Sequence, residues 1–226
     1  MLNKIREIII DFIFQDTSLI DRLFLKIPIY SETEILTRFF LFSLIFLVLV
    51  LILRPHHLTD FLTFGILGHL VNWSFNGHGY QIIFELIGIS YSADNAINYV
   101  LKLRSEAIER GLHVMIYGSW SSGTATKNSD IDIFIINVNH FGLQRLKLGL
   151  LSIKYRLIAL FTPLSVDIYV VDRVEYLYLR IFRKPYEKPI ILCDPTNTLG
   201  IIYGERKTSL EEFFHRVNKI LKKGDR

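Results

Sequence analysis

The sequence predicts an α+β domain, a mixed central sheet with helices packed on it, preceded by a helical membrane region. Three observations carry that prediction. Residues 39–53, FFLFSLIFLVLVLIL, are an uncharged apolar run closed by Arg38 and Arg54. From about residue 91 the texture changes to short apolar segments of period two, alternating with amphipathic segments of period 3.6. Between two of the short segments lies IYGSWSSGTATKNSDIDIFII (116–136), a small and polar crossing that ends on two aspartates separated by one residue. The 226 residues suffice for one domain of ordinary size with an appendage. Half of them are hydrophobic, more than a plain soluble domain uses, and the excess is local. A formal charge of +4 suits a membrane surface or a nucleotide. The single cysteine, Cys193, excludes an internal disulfide, suits a reducing compartment, and reads as a small apolar core residue.

Extended back to Ile35, the apolar run makes a helix of about 28 Å, close to the hydrocarbon thickness of a bilayer. Its two bounding arginines are expected to snorkel toward head groups. It has no polar face, which argues against a surface helix. The run starts late and RPHHL offers no small-residue cleavage site, which argues against a cleaved leader. The next stretch, FLTFGILGHLVNWSF (61–75), is uncharged but carries His69 and Asn72. It reads as a second span, a re-entrant or interfacial helix, or protein core. Lys4, Arg6, Arg22, Lys26 and Arg38 precede the first span, and no Lys or Arg lies between Arg54 and Lys102. The positive-inside tendency then puts the N-terminus in the cytoplasm, and a return pass brings the remainder back to it.

The expected organisation is an amphipathic cytoplasmic segment at 1–34 and a membrane region at 35–90. That region has a span at 35–54 and a second or re-entrant segment within 61–90. A cytoplasmic domain follows at 91–226, on a protein integral to the cell membrane. MLNKIREIIIDFIF at the N-terminus reads as a helix lying on the membrane or as ordinary packing. His56, His57, His69 and His78 match no zinc spacing.

Within the domain, SADNAINYVLKLRSEAIERG is a helix capped at Ser92 or Asp94 and stopped at Gly111. Ile97, Val100, Leu101 and Ile108 form its expected inner face, and Glu106 pairs with Arg110. HVMIYGS and DIDIFIINV are strands, FGLQRLKLGLLSIKYRLIALF is a long helix, and LSVDIYVV (164–171) is a third strand with clear alternation. EYLYLRIF is helical, and KPIILCD is a short strand. TSLEEFFHRVNKILKKG carries a capping box from Ser209 to Glu212 and an apolar stripe at 210, 213, 214, 217, 220 and 221, with Gly224 past its end.

The crossing from Gly118 to Asp132 excludes two familiar patterns. A P-loop requires Gly-Lys-Ser/Thr where Gly123-Thr124-Ala125 stands, and a nucleophile elbow requires glycine where Ser119 stands. The aspartates themselves are informative. Residues i and i+2 of a strand share a face, so Asp130 and Asp132 project together while Ile131, Ile133 and Ile135 face the core. Like charges on one face repel unless a cation bridges them. Hard carboxylate oxygens select Mg²⁺ or Mn²⁺, and two such ions about 3.5 to 4 Å apart serve phosphoryl chemistry. Asp167 supplies a third carboxylate, with Val166, Ile168 and Val170 on the opposite face of its strand.

Gly118-Ser119, then Gly123, then Ser129-Asp130-Ile131-Asp132, with the downstream strand residue Asp167, resembles the DNA-polymerase-beta-type nucleotidyltransferase superfamily, nearest to its minimal group. The resemblance covers roughly residues 94–200. It implies the nucleotidyltransferase fold, an NTP substrate such as ATP, and two Mg²⁺ or Mn²⁺ ions. It implies that Gly118 and Ser119 hold phosphates, with Ser129 in the same nucleotide-binding motif. Asp130 and Asp132 would bind both ions, and Asp167 would complete the acceptor-side one. Where the minimal group commonly has alanine and arginine, this chain has Ser121 and Ser122; Lys127 is the candidate replacement cation. The acceptor is expected at the membrane, as a lipid, a glycan or a protein, since no aromatic-basic alternation marks a nucleic-acid groove. The competing expectation is a membrane-anchored binding or regulatory module that keeps the fold without turnover.

Overall fold

A computed structural model describes residues 31–76, 92–127, 129–138, 142–162 and 164–221. The expectations for 1–30, for 77–91 with His78, and for Gly224 lie outside them. The elements run α1 (Glu32–Leu53), α2 (Leu58–Asn76), α3 (Ala93–Glu109), β1 (His113–Tyr117), α4 (Ser119–Ser122) and β2 (Ile131–Ile136). Then come α5 (Gly142–Phe161), β3 (Val166–Val171), α6 (Glu175–Arg183), β4 (Ile190–Cys193), α7 (Thr198–Tyr203) and α8 (Leu210–Leu221).

The four strands form one mixed sheet in the order β3-β2-β1-β4. The β1–β2 and β1–β4 pairs are antiparallel, and β2–β3 is parallel, with α5 as its crossover. Period-two alternation decides which side chain goes to which layer. Ile131, Ile133, Ile135, Val166, Ile168 and Val170 pack against α3, α5 and α8. Met115, Tyr117, Phe134, Ile136 and Val171 face the other way and are covered by α6 and α7. Asp132 and Asp167 share parity with this second set and stand near the starts of β2 and β3.

Several local expectations hold. Ser92 caps α3, Glu106 pairs with Arg110 at 2.6 Å, and the Glu212 amide donates to Ser209 Oγ at 3.1 Å. The inner face of α3 is rotated from the expected one: Ala96, Tyr99, Val100, Leu103 and Ala107 are buried, whereas Leu101 and Ile108 are exposed. Alanine and tyrosine fill the shallow gap over the sheet, which a count of isoleucine, valine and leucine alone overlooks.

α1 is the one helix among the described residues long and apolar enough to cross a membrane. It starts at Glu32, and its first turns are bound to the domain. Ser31 caps it, and Thr33, Glu34, Thr37, Arg38 and Leu41 are buried. Arg38 does not snorkel; its Nε donates to Glu34 Oε1 at 2.7 Å inside the protein. The uniformly apolar face expected of this helix therefore begins only past these turns. Glu34 also accepts from the Val170 amide at 3.3 Å and pairs with Arg156, whose guanidinium donates to the Ile168 carbonyl. Those backbone groups are on the edge of β3, so one buried ion pair closes an edge that would otherwise invite another strand. α2 folds back along α1 after a short turn, with Gly68 opposite Phe42.

Candidate active site

β1 ends at Tyr117 and the chain turns through Gly118, at φ 78° and ψ −146°, into the single turn α4. Only glycine serves here, for two reasons. The dihedral is in the region that side chains avoid, and a Cβ would overlap the Asp132 carboxylate. The small and polar crossing thus contains a helical turn. Ser121 and Ser122 donate back to the Gly118 carbonyl at 2.9 and 3.0 Å. Trp120 is the anchor: it is buried, its indole N–H donates to the Ser129 carbonyl at 3.0 Å, and its ring meets Phe213 edge-on. Ser119 is left half-exposed at the start of the turn.

Asp132 and Asp167 are direct partners across the parallel β2–β3 pair, where neighbouring strands lie about 4.8 Å apart, and so project from one face. Asp130 stands just before β2, and its Oδ1 accepts from Ser165 Oγ at 2.9 Å. Asp167 Oδ2 accepts from the Tyr169 hydroxyl at 3.2 Å. Burial first, then the Asp167 and Asp130 carboxylates, raise the Asp132 pKa to about 7 against the opposing pull of Arg180. Ser129 is drawn into bracing the loop, its Oγ accepting from the Thr126 amide at 2.8 Å. Lys127 is exposed on the loop between α4 and β2.

The donor set suits a hard divalent cation, being carboxylate oxygen throughout, and the raised Asp132 pKa marks burial and, after it, repulsion, both of which such a cation offsets. Among the described residues, no three His, Cys, Asp or Glu side chains converge closely enough to hold an ion as they stand. The hydrogen bonds from Ser165 and Tyr169 engage Asp130 and Asp167 individually.

Two arginines near the site escaped the sequence reading. Arg180, on α6, stacks 3.8 Å above the Tyr117 ring and pairs with Glu187 at 3.4 Å. Arg216, on α8, donates to the Trp120 and Ser121 carbonyls at 2.9 and 2.6 Å, and lies against Gly123. A cation from the last helix thus braces the turn in which Ser121 and Ser122 stand where arginine was expected. Tyr169 carried a usable signal, since it follows Asp167 by two residues on one strand. Arg180 and Arg216 carried none, because only tertiary packing brings them here.

Residues 97–192 match the family model described as a nucleotidyltransferase domain. No curated protein and no solved structure matches the chain significantly. The matched stretch begins within α3 and reaches β4, so it takes in all three aspartates and the Gly118 turn. Over residues 97–192, which hold the sheet and the helices between its strands, the chain is therefore similar to a nucleotidyltransferase domain.

Proposed function

We propose that this protein is a membrane-anchored nucleotidyltransferase that moves an NMP from an NTP to a hydroxyl acceptor and releases pyrophosphate. The observation that carries the reading is the pairing of Asp132 with Asp167 on one face, beside the Gly118–Ser119 turn. The amides around Gly118 and the Ser119 hydroxyl hold the β- and γ-phosphates, where the missing side chain lets the backbone approach. Asp130, Asp132 and Asp167 are the residues that would hold two Mg²⁺ or Mn²⁺ ions once their side chains turn toward a common point. Bound there, the ions supply charge neutralisation at the phosphates and a lowered pKa for the acceptor hydroxyl. Asp167 orients that hydroxyl and takes its proton. The acceptor oxygen bonds to the α-phosphorus in line as the bond to the pyrophosphate oxygen breaks. Lys127 and Ser129 act at the loop, Ser129 by holding its shape and Lys127 as a cation near the triphosphate.

In this reading residues 1–34 precede a membrane region over 35–90, and 91–226 form the catalytic domain on the cytoplasmic face of the cell membrane. The acceptor is membrane-held: a lipid, a glycan or a protein. Incubation of the full-length protein with membranes and α-labelled NTPs is expected to place label on one acceptor class, and Asp132→Asn to prevent it. The Ser121–Ser122 pair in place of alanine and arginine favours a second reading, a nucleotide-binding module without turnover. In that case calorimetry detects NTP binding with Mg²⁺ and no label is incorporated.

A further inference from the structure

α5 has two apolar faces. Leu148, Leu151, Tyr155 and Ala159 are buried under the sheet. On the opposite side Leu143, Leu146, Leu150 and Phe161 are 68, 59, 51 and 80% exposed. Their spacing places them in one stripe along the helix. An apolar stripe of this length on a domain surface marks a contact with another apolar phase.

The stripe does not end at the edge of α5. A groove of about 520 Å³ separates it from the first turns of α1, with Leu36, Phe39 and Phe40 on one wall and Leu146, Leu150 and Ile153 on the other. The outer face of α5 and the apolar surface of α1 are therefore one continuous surface.

Length decides what covers it. A hydrocarbon layer of about 30 Å takes about 20 helical residues. Counted back from Leu53, that length reaches Glu34, which is buried within the domain against Arg156 of α5. α1 cannot reach across a bilayer unless its crossing point with α5 comes down to the lipid boundary. Lys147, exposed beside the stripe, is placed for lipid phosphates.

We infer that the outer face of α5 is embedded in the interfacial layer of the bilayer, with acyl chains filling the groove against α1. The domain then sits on the membrane in a set orientation and is not held above it on a tether. This rests on the membrane-anchored reading proposed above, and goes beyond it by naming a second surface of contact.

The test uses full-length protein with Cys193→Ser, carrying one new cysteine at a time: Leu47→Cys in α1, Leu146→Cys in α5, or Ile201→Cys in α7. Each is labelled with a polarity-sensitive fluorophore and reconstituted in vesicles of phosphatidylcholine and phosphatidylglycerol with brominated acyl chains. Expected is strong quenching at 47, quenching of at least half the emission at 146 with a blue shift, and aqueous emission without quenching at 201. Quenching at 47 with aqueous emission at 146 overturns the inference and leaves the anchor standing. A blue shift at 146 without quenching also overturns it, assigning the face to a second copy of the chain. No quenching at 47 removes the anchor and the inference with it.

Discussion

Strand β3 separates two acidic centres that differ in how their charges are met. Just past its end, Asp172 accepts from the Thr33 amide at 2.7 Å, Thr33 Oγ1 at 2.7 Å, Asn137 Nδ2 at 2.9 Å and Ser31 Oγ at 3.3 Å. Near its start, Asp167 faces Asp132, and both have carboxylates for neighbours. Against the cost of burial, the hydrogen bonds from Asn137 and Thr33 hold the Asp172 pKa below the usual carboxylate value, whereas that of Asp132 is raised to about 7. A buried carboxylate ringed by fixed donors is a structural joint. A buried carboxylate beside two others is, in the reading proposed above, a place for a divalent cation.

The sharpest way to break this contrast is mutation at each centre. Asp132→Asn and Asp167→Asn are expected to lower nucleotidyl transfer by about 10³-fold or more while leaving the melting temperature unchanged or higher. Equal activity in both variants sinks the assignment. Asp172→Ala is expected to do the reverse, costing on the order of 1–3 kcal/mol of stability as buried donors lose their acceptor. Limited proteolysis near residue 31 would read the release of α1.

pH sharpens the contrast because the two centres act with opposite sign. Between pH 3.8 and about 7 the folded protein keeps a proton on Asp132 that the unfolded chain has lost, so rising pH lowers stability across that window. Asp172 has a folded pKa below 3.8, so its contribution is present at neutral pH and is lost as pH falls through that lower value. Metal-free protein is thus expected to melt several degrees lower at pH 8 than at pH 5.5. Mg²⁺ or Asp132→Asn should flatten that slope, and Asp172→Ala should not. Thermal melts across pH measure it.

The smallest expected effect is at Arg216. Arg216→Ala leaves the Trp120 and Ser121 carbonyls without their cation. The NTP KM is expected to rise about tenfold, which corresponds to about 1.4 kcal/mol, with a smaller change in kcat. Arg216→Lys should recover part of the loss. An unchanged KM would make Arg216 a contributor to packing alone.

Much of the domain was legible in advance because its signals are local. Period two in DIDIFII and VDIYVV marks the strands and assigns Asp132 and Asp167 to the face opposite the isoleucines and valines. The capping box at Ser209 and the Ser92 cap mark helix starts within a few residues. The burial of the first turns of α1 was not legible, for a reason of the same kind. Thr33, Glu34, Thr37 and Arg38 look like a polar flank exposed to water or head groups, and hydropathy cannot tell such a flank from a buried polar interface.

The sequence by itself determined the strands, the longer helices of the domain, the apolar run and the three aspartates, since each depends on residues within a few positions of one another. Tertiary structure alone decided that Asp132 and Asp167 stand side by side, that Arg216 reaches the Gly118 turn, and that Glu34 and Arg156 close the edge of β3. Those pairs lie far apart along the chain. Only the register of the sheet and the packing of helices on it bring them within the short range over which charges and hydrogen bonds act.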